Sequence, residues 1–107
     1  MLKELKFIDE VKQRGFGVAF NEALQYIGGR CSNYGISLDL DAIDPEDAPG
    51  VGLPVPNGIE GCNLLESLTH IPRDKLVGIE VVEFNPRFDI EQMTLQLIDK
   101  IINAVFG

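Results

Sequence analysis

The sequence is short of several things, and each shortage excludes a class of function. Its 107 residues hold 9 basic against 17 acidic side chains, a formal charge of −8. No basic patch is present, so nucleic acid and anionic membrane surfaces are poor partners. No apolar run approaches the roughly 20 residues a membrane helix needs. The first residues, MLKELKFIDEVKQ, are charged throughout and lack the apolar core of a signal peptide, and a cytoplasmic location is expected. There are only two cysteines, Cys31 and Cys62, without metal-ligand spacing. Free buried thiols in a reducing compartment are expected of them rather than a disulfide. The single histidine, His70, falls near an expected helix end before Pro72. There it reads as a partner of the helix dipole rather than a ligand. Repeats and low-complexity segments are absent. The length allows one small domain at most, and 45% hydrophobic content makes it globular rather than disordered.

What is there is concentrated in one stretch, Tyr34 to Gly58, YGISLDLDAIDPEDAPGVGLPVPNG. Tyr34, Ile36, Leu38 and Leu40 alternate with Gly35, Ser37 and Asp39, the period of a strand. Asp39 and Asp41 stand where that strand runs out, and Asp44 follows before Pro45. Beyond Asp44 come Pro45, Pro49, Pro54 and Pro56 with Gly50, Gly52 and Gly58, a composition that can be neither helix nor inner strand. Acidic oxygens therefore sit at a strand's C-terminal end, ahead of a stiff loop, where open α/β sheets bind ligands. In a regular strand Asp39 and Asp41 face the same way. Two carboxylates on one side are costly unless a cation neutralises them, and hard oxygen donors suit Mg, Mn or Ca. Taken alone, an Asp-x-Asp pair is more simply a solvated strand end.

The longer pattern decides between these readings. SLDLDAIDPEDAPGVGLPVPNG resembles the ureohydrolase signature: Ser, an apolar residue, Asp-x-Asp, Asp-Pro, then Ala-Pro-Gly-x-Gly-x-Pro. That family holds arginase, agmatinase and formimidoylglutamase. A second block, Gly78 to Pro86, resembles the family's late strand ending in Glu-x-Asn-Pro. Leu53 stands where the family usually has Thr, and Phe84 where it has Val. Val55-Pro56-Asn57-Gly58 is similar to the arginase continuation.

The other segments fit an α/β reading. Leu2 to Gln13 reads as a short strand or irregular piece and then a helical turn. Phe16 to Ile27 is an expected helix, with Phe16, Phe20, Leu24 and Ile27 on one side and Gly28-Gly29 as its stop. Glu60 to His70 is a second, burying Leu64, Leu65 and Leu68. Its Glu60 and Glu66 suit the first turn and a solvated face. Leu76 to Glu83 is nearly continuous in apolar character, as buried parallel strands are. A third helix is expected from Ile90 to Val105, with Asp89 and Gln92 as a capping box. Two parallel strands joined by a helix form a right-handed unit, which puts Asp39, Asp41 and Glu83 at one end of one sheet.

The resemblance implies a three-layer α/β/α fold with a parallel sheet, of which residues 1–107 would form a single C-terminal βαβα portion with an N-terminal helix. It implies a binuclear Mn2+ centre in the complete enzyme. Asp39 would bridge the two ions, Asp41 would bind one, and Glu83 would pair with the substrate's guanidinium-type group. Asp44 would be structural, fixing the turn, and Ser37 would pack. Hydrolysis of an amidine by metal-activated water is the implied reaction, with arginine as substrate and agmatine or formimidoylglutamate as alternatives. Of six metal ligands, four (a His and an Asp-x-His-x-Asp cluster) lie upstream of the signature in that family. Weak or absent Mn binding and no turnover are therefore expected of this chain alone, and its expected partners are the enzyme's N-terminal part and further copies of itself. Two other readings carry less. Asp39-Leu40-Asp41-Ala42-Ile43 resembles the nucleophile motif of haloacid-dehalogenase-like phosphatases, yet Asp44-Pro45 follows where a hydroxyl or β-branched residue is wanted. Asp-x-Asp glycosyltransferases would need a nucleotide site that nothing nearby provides. A non-catalytic oligomerisation module of the same fold is the alternative of a different class.

Overall fold

The computed structural model describes residues 14–107, so the expected strand and helical turn over Leu2 to Gln13 lie outside the described residues. Helix α1 spans Phe16–Gly28, strand β1 Tyr34–Asp39, helix α2 Gly61–Thr69, strand β2 Leu76–Val82 and helix α3 Met93–Phe106. The two strands pair in parallel, with Ile36 opposite Ile79, Leu38 opposite Val81 and Asp39 opposite Val82. The crossover between them carries α2, as a parallel pair requires. Ile36, Leu38, Ile79 and Val81 join the hydrophobic cluster beneath the helices. On the opposite face Gly35, Ser37 and Glu80 are exposed. The expected packing of Ser37 is thus replaced by a surface hydrogen bond, its hydroxyl donating to Glu80 Oε1 at 2.7 Å.

The centre of the core is built by the Pro/Gly stretch. Leu40, Ile43, Ala48 and Val51 are almost fully buried, at 0 to 2% exposure, together with Leu64 and Leu68 of α2 and Ile101 and Val105 of α3. Apolar residues punctuating a proline-rich loop therefore act as core side chains, and the loop is wrapped around them rather than lying free on the surface. Its own backbone closes it. Asp44 N–H donates to Ile59 O and Ile59 N–H to Ala42 O, both at 2.9 Å. Asp44 Oδ1 accepts Glu46 N–H at 2.9 Å, an Asx turn of the kind Asp forms before a bend. Asp47 reaches across to accept Gly61 N–H at 2.9 Å. It thereby caps α2, whose own N-cap residue, Glu60, makes no side-chain cap.

Several boundaries move for physical reasons. Strand β1 ends at Asp39, because Leu40 to Ala42 coil into a 3-10 turn that drops Leu40 into the core. Strand β2 ends at Val82, because Glu83 adopts a left-handed backbone with φ 69°. Helix α3 starts at Met93 rather than Ile90, since Glu91 and Gln92 are left-handed. The expected capping box is corrected accordingly. Asp89 caps, accepting Thr94 N–H at 2.9 Å and Leu95 N–H at 3.2 Å, while Gln92 makes no side-chain cap. Both cysteines are exposed, against the expected burial: Cys31 follows the last turn of α1 and Cys62 lies in α2's first turn. His70 is the exposed C-cap residue of α2. At the far end of the sheet, Tyr34 Oη donates to Pro72 O at 2.7 Å. Next to it, Arg73 donates to the last carbonyls of α3, Ala104 O at 2.8 Å and Gly107 O at 3.3 Å.

A tight joint between backbone segments of the loop lies at Gly58. A Cβ there would meet Ala42 O, Asp44 N and Ile43 C, each at 2.7 Å, and these are backbone atoms that cannot rotate away. Gly58→Ala should therefore cost on the order of 3 kcal/mol, read as a lowered urea midpoint with an unchanged slope.

Candidate functional site

Three carboxylates reach one pole of the molecule by three local devices. Asp39 is the last residue of β1. Asp41 comes back towards it through the 3-10 turn, its N–H donating to Asp39 Oδ1 at 3.2 Å. The expectation of two side chains on one face of a regular strand is thus corrected: the turn, not the strand pleat, makes them neighbours. Glu83 follows Val82, the partner of Asp39 across the parallel pair, so the register alone carries it to the same end of the sheet. Asp39 and Glu83 are exposed and Asp41 is half-buried.

The charges interact. The Asp41 carboxyl is pushed above the ordinary carboxylate range, first by its hydrogen bond with the Asp39 side chain, then by burial and by the negative charges of Asp39 and Glu83. Excess negative charge at one spot is the condition a cation relieves. The oxygen donors suit a hard divalent ion, so the residues present fit part of a metal site. They do not complete one: among the described residues no three His, Cys, Asp or Glu side chains are grouped to hold an ion. His70 is remote from this pole, lining a shallow polar cleft between α1 and α2 with Asn21, Asn63 and Glu66. Leu53, where a Thr is usual, is 79% exposed at the loop tip.

The loop joins this pole to α3 through Gly50, Asn85 and one residue to which the sequence reading assigned no role, Thr94. Gly50 N–H donates to Thr94 Oγ1 at 2.7 Å, and Asn85 N–H donates to Gly50 O at 2.7 Å. Thr94 is wholly buried. Its signal in the sequence was a hydroxyl on the apolar stripe of a helix, where a polar group must find a partner. The Asp89 carboxyl is pulled two ways. Burial raises its pKa, but hydrogen bonds from the Thr94 N–H and hydroxyl and from the N–H groups of Leu95 and Ile90 outweigh that and leave it below the usual range.

The family model described as the arginase family matches residues 4–107. The arginase of Brevibacillus brevis is 40% identical over 101 residues, covering 92% of this chain and 33% of that protein. The formimidoylglutamase of Halalkalibacterium halodurans is 31% identical over 86 residues, covering 79% of this chain and 27% of that protein. The crystal structure of Bacillus subtilis arginase superposes with a TM-score of 0.87 at 29% identity, over 97% of this chain and 37% of that one. The chain belongs to the arginase family, the ureohydrolases. It has their α/β fold in part and spans about a third of the length of the curated relatives it matches.

The two perturbed aspartates predict opposite pH responses. For Asp41 the folded-state pKa is raised, so its contribution is intact below the ordinary carboxylate range and is lost as pH rises through the raised value. Asp41→Asn should therefore increase stability at pH 7, with the gain fading as pH falls to about 3. For Asp89 the pKa is lowered, so its contribution is present above the ordinary value and is lost as pH falls through the lowered one. Asp89→Ala should cost about 1 kcal/mol at pH 7, the usual worth of a helix cap, and less in acid. Thermal melts of both variants across that pH range check the two signs.

Proposed function

We propose that this chain forms the acidic wall of a metal-dependent ureohydrolase centre that hydrolyses a guanidino or amidine group. The observation that carries the reading is the meeting of Asp39, Asp41 and Glu83 at one sheet end, where Asp39 and Glu83 raise the cost of ionising Asp41. Asp39 and Asp41 would hold a share of a Mn2+ pair. When bound, that pair supplies Lewis-acid activation of water near neutral pH. Glu83 orients the cationic end of the substrate by a charge-assisted contact, which fixes the carbon under attack. Arginine is the substrate most in keeping with the arginase relatives. Agmatine and formimidoylglutamate are the alternatives, since their hydrolases are relatives as well.

The remaining ligands are expected from a part equivalent to the other two-thirds of the relatives. Isolated, this chain should bind Mn2+ more weakly than micromolar and release no urea. Calorimetric titration and a urea assay measure both, and tight binding or turnover by the chain alone would overturn the reading. Joined to the remaining part of the Brevibacillus brevis arginase, it should hydrolyse arginine, and Glu83→Gln should then lower kcat/KM by at least about 100-fold.

Self-association is part of the same proposal. Among the described residues the sheet has two strands and two open edges, and such a sheet is marginal alone. Here Leu95, Ile102 and Phe106 of α3 and Val77 of β2 are exposed as well, and apolar surface of this kind favours pairing between copies. Light scattering should report dimers or larger species at high concentration; a stable monomer would count against it. The non-catalytic alternative shares this behaviour and differs only in leaving the joined protein inactive.

A further inference from the structure

The carboxylate assigned to substrate above, Glu83, sits on a backbone that an L-residue seldom adopts. Its φ is 69°, a conformation that persists only when the surroundings hold it. What holds it can be followed atom by atom. Before Glu83, Val82 is paired with Asp39 across the sheet. Two residues after it, Asn85 N–H donates to Gly50 O at 2.7 Å. The Gly50 peptide is in turn held from its other side, its N–H donating to Thr94 Oγ1 at 2.7 Å. Thr94 is itself anchored through its backbone, its N–H donating to Asp89 Oδ1 at 2.9 Å. Asn85 Oδ1 closes the segment by accepting Arg87 N–H at 3.1 Å. Glu83 is therefore stretched between two fixed points, the end of β2 and the Gly50 carbonyl.

We infer that Thr94, acting through Gly50 and Asn85, is the positioning residue that sets the left-handed backbone of Glu83 and so aims its carboxylate at the aspartate pair. Each member has a chemical reason to be what it is. A Cβ on Gly50 would lie 2.9 Å from Thr94 Oγ1 and 3.1 Å from Asp89 Cβ, so only glycine lets the loop peptide come this close. Thr94 is 0% exposed, so its hydroxyl has no water to replace Gly50. It accepts the buried Gly50 N–H, which a hydroxyl does and a methyl does not. Serine keeps that bond, and valine keeps the shape without it. The functional meaning rests on reading Glu83 as the substrate carboxylate; the conformational claim does not.

Isotope-labelled protein tests it without substrate. The left-handed backbone of Glu83 gives a distinctive amide–Hα coupling and Cα shift. The signature should be present in the natural chain, retained in Thr94→Ser, and lost in Thr94→Val while circular dichroism shows α3 still formed. A folded Thr94→Val protein in which Glu83 keeps its left-handed signature overturns the inference. If that variant does not fold, amide exchange in the natural chain decides. The Gly50 and Asn85 N–H groups should exchange together and at least about tenfold more slowly than an open loop. Exchange of either at the open-loop rate also overturns it. These measurements can fail while Glu83 still binds substrate, and Glu83→Gln can leave activity intact while they succeed, so the two ideas stand or fall separately.

Discussion

The peptide at Gly50 is the joint on which this structure turns. One small residue in the middle of a proline-rich loop gives its N–H to a helix side chain and its carbonyl to the backbone beyond a strand. Three segments far apart in sequence are thereby held at one depth, in a place where no side chain would fit. Hydrogen bonds of this kind contribute modestly when made and cost a good deal when a buried partner is left alone. The joint is worth more as a constraint than as a source of stability. It lets a loop without regular structure behave as a rigid part.

That rigidity has a counterpart in the core. The same loop supplies Ile43, Ala48 and Val51 to the apolar centre, beside Leu40 from the turn before it. Packing and polar geometry therefore reinforce each other: the buried side chains pull the loop inward, and the hydrogen bonds of Asp44, Asp47 and Gly50 set the path it takes. Against this, the acidic pole is a local liability. Asp41 is ionised at a cost because Asp39 and Glu83 stand close, and Glu83 is held in an unfavourable backbone state. Unfavourable terms of this sort gather where a protein binds something, and the surrounding structure offsets them.

Much of this could be read from the residues. Alternation and unbroken apolar runs mark β1 and β2. Their parallel pairing followed from the helix between them, and with it the meeting of Glu83 and the aspartates. The loop's long Pro/Gly pattern marked the family. What escaped was set by tertiary contact. Nothing local announced that β1 would stop at Asp39, because the 3-10 turn exists to bury Leu40. Asp89 was rightly marked as a cap, but the left-handed pair Glu91 and Gln92 shifted which N–H groups it serves. Asp47 carries no local sign that its carboxylate caps α2 from across the loop. Thr94 is a single hydroxyl among apolar neighbours, and its partner lies 44 residues away. The cysteines were misjudged because a small fold leaves many positions facing water, Cys31 just past α1 and Cys62 on α2.

The opposite end of the sheet is fastened separately. Tyr34 grips the Pro72 carbonyl and Arg73 grips the end of α3, both at the pole away from the carboxylates. The molecule is thus buckled at its base by contacts that share no atom with the Gly50 joint. The base holds strand order and helix placement by bonds of its own, independent of the carboxylate pole. Loosening at the mouth need not become unfolding of the whole.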